Sequence, residues 1–146
     1  VALLDGCIKR ILIVDDEMVL AENLGVFFAN AGASVAVAHS GEEALETAER
    51  FLPECVIADC NLPGMNGMET LRRILDRRPG VVPVLITGRT DEVIREAGAL
   101  GIHNVLIKPF PLVELCRFMC GPLAPAGAPC DSEAKKVQAP LAPLAC

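Results

Sequence analysis

Lys9-Arg10-Ile11-Leu12-Ile13-Val14 is a short apolar run, and two carboxylates, Asp15 and Asp16, follow it directly. A run of this length and composition predicts a strand buried on both faces, as in a parallel sheet. From about Met18 to Ala31 the apolar residues recur at helical spacing, and Gly32 stops the helix. One βα unit results, and the pattern repeats along the chain. Ser34-Val35-Ala36-Val37-Ala38 predicts a second strand, and Ser40 with Glu43 forms a capping box that opens a helix through Ala44, Leu45, Ala48 and Phe51, closed by Pro53. Cys55-Val56-Ile57-Ala58 predicts a third strand delivering Asp59 to a loop of turn formers, Pro63, Gly64, Asn66 and Gly67, before helical spacing resumes from Met68 to Arg78. Pro83-Val84-Leu85-Ile86 ends at Thr87 and precedes a weaker helix from about Asp91 to Leu100. Asn104-Val105-Leu106-Ile107 is the fifth strand, followed by Lys108-Pro109 and a last helix from about Pro111 to Cys120.

Strands alternating with helices make a parallel sheet covered on both faces, because each parallel connection needs a crossover. The chain has 146 residues, enough for one compact domain, and 52% of them are hydrophobic. No apolar run is long enough to span a membrane, and no secretory leader precedes the first strand, so a cytoplasmic protein is expected. A net charge of −6 argues against phosphate-neutralising contacts to nucleic acid and favours proteins as partners. The seven cysteines lack C-x-x-C pairs and fit neither a disulfide framework nor a zinc site. Cys116 and Cys120, four apart, read as small buried hydrophobes, and His39 and His103 as surface or loop residues.

Ligands of doubly wound sheets sit at the carboxyl ends of the strands, near the topological switch point. The chemistry-bearing residues fall there: Asp15 and Asp16 after the first strand, Asp59 after the third, Thr87 at the end of the fourth and Lys108 after the fifth. Two carboxylates about 5 Å apart repel by roughly 3 kcal/mol at an effective dielectric near 20, so three together call for a counter-cation or shifted protonation. Hard oxygen ligands point to Mg²⁺, which often binds one or two carboxylates together with a phosphoryl group. The Lys108 ammonium can neutralise a phosphoryl oxygen on Asp59, and the Thr87 hydroxyl can hydrogen-bond another.

The segments Ile11-Leu12-Ile13-Val14-Asp15-Asp16-Glu17, Asp59-Cys60-Asn61-Leu62-Pro63-Gly64-Met65-Asn66-Gly67, Ile86-Thr87-Gly88 and Lys108-Pro109-Phe110 together resemble, in order, the receiver domains of two-component response regulators. The resemblance covers residues 8–120 and implies a flavodoxin-like (βα)5 fold with strand order 2-1-3-4-5. It implies that Asp59 is phosphorylated and that Mg²⁺ is bound by the Asp16 and Asp59 side chains, the Asn61 backbone carbonyl and, mainly through water, Asp15. The donor would be a phosphohistidine on a sensor histidine kinase or phosphotransfer protein. Lys108-Pro109 would be cis. Output would pass to a downstream protein, with the face of helix four, strand five and helix five available to a second copy of the chain. Such a domain is a phosphoacceptor in signalling rather than an enzyme acting on a separate substrate.

The chain departs from the family where an aromatic residue usually stands, three residues before the lysine. Here that residue is Val105, which has no ring to swing and a restricted χ1. Gly88 leaves the phosphoryl site open, and Arg89 is a candidate to modulate water entry. Gly98 and Gly101 weaken the fourth helix, as a mobile output face would require. Residues 121–146 form a Pro-, Ala- and Gly-rich low-complexity tail, expected to be disordered and too short for a helix-turn-helix, cyclase or methylesterase domain. Val1 in place of methionine leaves open an alternative start codon or a fragment of something longer, such as the terminal receiver of a hybrid kinase. A Mg²⁺-dependent phosphohydrolase of the haloacid dehalogenase type is the alternative of another class. It predicts an acid two residues after the nucleophile, where this chain has Asn61.

Overall fold

A computed structural model describes residues 9–88, 91–111 and, as backbone, 136–138. The elements run β1 (Arg10–Val14), α1 (Met18–Asn30), β2 (Ser34–Ala38), α2 (Gly41–Phe51), β3 (Cys55–Asp59), α3 (Gly67–Arg77), β4 (Val82–Thr87), α4 (Asp91–Ala99), β5 (Asn104–Ile107) and β6 (Lys136–Gln138). The first five strands are parallel in the order β2-β1-β3-β4-β5, as expected, with element ends within about two residues of the sequence reading. No helix among the described residues is long and apolar enough to cross a membrane.

Each strand sends alternate residues to opposite faces. Ile11, Ile13, Cys55, Ile57, Val84, Ile86 and Leu106 share one buried cluster with Ala21, Leu24 and Phe28 of α1. Leu12, Val14, Val56, Ala58, Leu85, Val105 and Ile107 share the other with residues of α2, α3 and α4. The near-continuous apolar strands thus reflect a sheet with two buried faces. The last helix of the sequence reading, Arg89, Cys116 and Cys120 lie outside the described residues.

Two features go beyond the sequence reading. The sheet has a sixth strand, β6, parallel to β5 with Val105 opposite Lys136 and Ile107 opposite Gln138. Without it β5 would be a sheet edge offering unpaired backbone groups, and a three-residue partner is too short to leave a periodic signal. His103, read as a surface or loop residue, lies in the short connection between α4 and β5 and is buried there, because that connection leads directly into the fully buried β5.

Candidate functional site

Strand register brings the acids together. Val14 pairs with Ala58, so the next residues, Asp15 and Asp59, leave adjacent strands side by side. Asp59 is opposite Ile86, and Thr87 is opposite Ile107, which sets Thr87 and then Lys108 just beyond the same sheet edge. Asp15, Asp59 and Thr87 are buried, while Asp16 is exposed. Carboxylate oxygens from Asp15, Asp16 and Asp59 all lie within 4.8 Å of one another.

The side chains are held by short-range turns and one long-range ion pair. Asp15 Oδ1 accepts from the Glu17 backbone N–H at 2.9 Å, and Asp59 Oδ1 accepts from the Asn61 N–H at 2.9 Å. Both are Asx-type bonds to the residue two positions on. Lys108 Nζ donates to Asp59 Oδ2 at 2.5 Å across 49 residues of sequence. The Lys108-Pro109 peptide is cis. Burial disfavours the Lys108 charge, but the hydrogen bond and negative charge of Asp59, with Asp15 and Glu17 behind them, outweigh it and raise the lysine's pKa. Burial, reinforced by the charge of Asp59, pushes the Asp15 carboxyl up to about 6, against the lowering effects of the Glu17 N–H and Lys108.

These residues suit a hard cation. Asp15 Oδ2 is buried without a hydrogen-bond partner. Three carboxylates face one ammonium, so the group retains excess negative charge. Asp15, Asp16 and Asp59 would hold such a cation through carboxylate oxygens that lie within 4.8 Å of one another.

The loop after Asp59 is clamped to it. The Gly67 N–H donates to the Cys60 carbonyl at 3.1 Å. A Cβ at Gly67 would lie 2.1 Å from the Asp59 carbonyl oxygen, so only glycine lets α3 begin this close to the acid. Asn66 caps the helix by accepting from the Glu69 N–H at 2.8 Å. Gly88 faces open space, and Val105 is buried with Leu85, Val93 and Ala97. Sequence reasoning missed two supporting groups: the Glu17 N–H, which an Asp-x-x turn pattern could have signalled, and His39, whose Nδ1 lies 3.1 Å from the Asp15 carbonyl. It also missed a cleft of about 380 Å³ beside the ion pair, lined by Glu17, Leu20, Asn23, Lys108, Pro109 and Phe110.

With acids gathered at the switch point of a 2-1-3-4-5 sheet, the architecture is flavodoxin-like and of the signal-receiver class. Over residues 11–119 the chain matches the response regulator receiver domain, and it belongs to that family of two-component signalling domains. The Regulator of RpoS of Escherichia coli strain K12 is 39% identical over 103 residues, which are 69% of this chain and 30% of that protein. The chain therefore spans less than a third of that relative. A CheY-like receiver domain protein from Methanospirillum hungatei superposes with a TM-score of 0.70 at 27% identity, over 75% of this chain and 89% of that one. A response regulator from Burkholderia pseudomallei, solved with a phosphorylated aspartic acid, a calcium ion and citrate, gives 0.69 at 26% identity, over 76% of this chain and 66% of that one.

Proposed function

We propose that Asp59 accepts a phosphoryl group and that Asp15, Asp16, Asp59 and the Asn61 carbonyl hold Mg²⁺ for that reaction. The observation that carries this is the Lys108–Asp59 ion pair set within the three-carboxylate group. An oxygen of Asp59 forms the new P–O bond while the P–N bond of a donor phosphohistidine breaks and its electron pair leaves on the imidazole nitrogen. When bound, Mg²⁺ supplies charge neutralisation at the phosphoryl oxygens. The Asn61 N–H holds one Asp59 oxygen and so orients the carboxylate. Lys108, already at the other oxygen, moves its hydrogen bond to the phosphoryl group, and the Thr87 hydroxyl takes another phosphoryl oxygen.

The partner is a sensor histidine kinase or phosphotransfer protein. Met18, Val19 and Val26 of α1 are 60%, 74% and 60% exposed, and the same helix lines the cleft beside Lys108 with Leu20 and Asn23, which offers apolar contacts to such a partner. Output passes through protein contacts, including self-association through the face of helix four, strand five and helix five, and the chain works in the cytoplasm as a phosphoacceptor whose chemistry is confined to its own aspartyl phosphate.

Incubation with acetyl phosphate and Mg²⁺, followed by intact-mass measurement, tests this. Addition of one phosphoryl group that disappears in Asp59→Asn is the expected result. Labelling that persists in the variant, or steady turnover of phosphomonoesters, would overturn it.

A further inference from the structure

We propose that the cleft at the amino end of the sheet binds a small oxyanion, a carboxylate or phosphate, with the Arg78 guanidinium as its anchor. The cleft has a volume of about 470 Å³ and is lined by Pro53, Glu54, Arg77, Arg78, Gly80, Val81 and Val82. It lies where β3 and β4 begin, at the far end of the same strands that carry Asp59 and Thr87.

Arg78 is the residue without an explanation. It is half-buried, and its Nε is shut off from solvent with no hydrogen-bond partner. A guanidinium is never neutral at ordinary pH, so a buried N–H without an acceptor is a standing cost. The simplest account is that Arg78, at the C-cap of α3, neutralises the helix dipole. Such a side chain should donate to the last helical carbonyls. Among the described residues, no carbonyl or carboxylate accepts from it.

The other charges in the cleft are compatible with an incoming anion. Glu54 Oε1 is engaged by the backbone N–H groups of Lys9 at 2.6 Å and Arg10 at 3.2 Å, which directs it to the start of β1. Arg77 meets Glu49 at 3.3 Å in a pair whose side chains are 63% and 50% exposed, weak enough to exchange for a second ligand contact. A Cβ built on Gly80 meets nothing within 4 Å, so the cleft is open to solvent there. Small rotations of the Arg78 guanidinium would present its planar fork to two oxygens of one ligand, the geometry that suits carboxylate and phosphate.

The test titrates the ¹⁵N-labelled full chain with inorganic phosphate and, separately, succinate, replacing chloride to hold ionic strength constant. Saturable amide shifts at Gly80, Val81 and Val82 are expected, with affinity falling about tenfold or more in Arg78→Gln and in Arg78→Lys, which keeps the charge but loses the fork. Retained amide dispersion shows that both variants fold. Response to phosphate alone identifies a phosphoryl ligand, and response to succinate alone a carboxylate. Absence of saturable shifts with either anion, or unchanged affinity in Arg78→Lys, would overturn the proposal.

Discussion

At Asp15, burial and the neighbouring Asp59 charge push the same way, and the carboxyl rises to about 6 from an ordinary value of 3.8. The folded chain therefore holds this proton more tightly than the unfolded chain does. Asp15 favours the metal-free fold most below pH 4, and that contribution is lost as pH rises through about 6. Denaturant midpoints across this range should fall with rising pH in metal-free protein, and Asp15→Asn should flatten the slope. An identical slope in the variant would contradict the assignment. Proton and cation compete for the same carboxylate, so Mg²⁺ affinity should weaken on acidification through that window. At Lys108, replacement by alanine strands the buried Asp59 carboxylate, and urea denaturation at pH 7 should show a loss of about 1–3 kcal/mol.

Among the elements, α3 begins directly against the Asp59 backbone. Gly67→Ala would drive a methyl group into the Asp59 backbone, where no flexible side chain can yield. Denaturant unfolding should register a loss of about 1–3 kcal/mol, and acetyl phosphate labelling should slow in the same variant. Loss of stability with normal labelling would mean that the loop adjusts without moving Asp59. The start of α2 shows how far local signals reach. Ser40 Oγ accepts from the Glu43 N–H at 3.1 Å as its capping pattern predicts. The Glu43 carboxylate, however, accepts from the His39 N–H at 2.8 Å, one residue before the position the pattern assigns. Local chemistry specifies the helix start, and the path of the chain entering from β2 selects the second donor. In α4, Gly98 lies inside the helix and Gly101 follows it at φ +82°, a left-handed turn that suits glycine and leads the chain toward β5.

For the whole molecule, a cation bound only by the folded acids should stabilise the fold. Mg²⁺ should raise the thermal midpoint in a saturable way, and Asp16→Ala should abolish most of the rise. An equal rise in the variant would place the cation elsewhere. The alternation of strands and helices, the buried character of the strands and the placement of Asp15, Asp16, Asp59, Thr87 and Lys108 at strand ends were all legible in the sequence. Period, turn chemistry and βα connectivity are properties of neighbouring residues, and the parallel crossover rule turns them into an architecture. The tertiary structure alone decided that three carboxylates converge within 4.8 Å, that Lys108 reaches Asp59, that Asp15 Oδ2 is left without a partner, that His103 is interior and that β5 gains a further strand. Each of these depends on register and packing between segments far apart in the chain, which no local window of sequence contains.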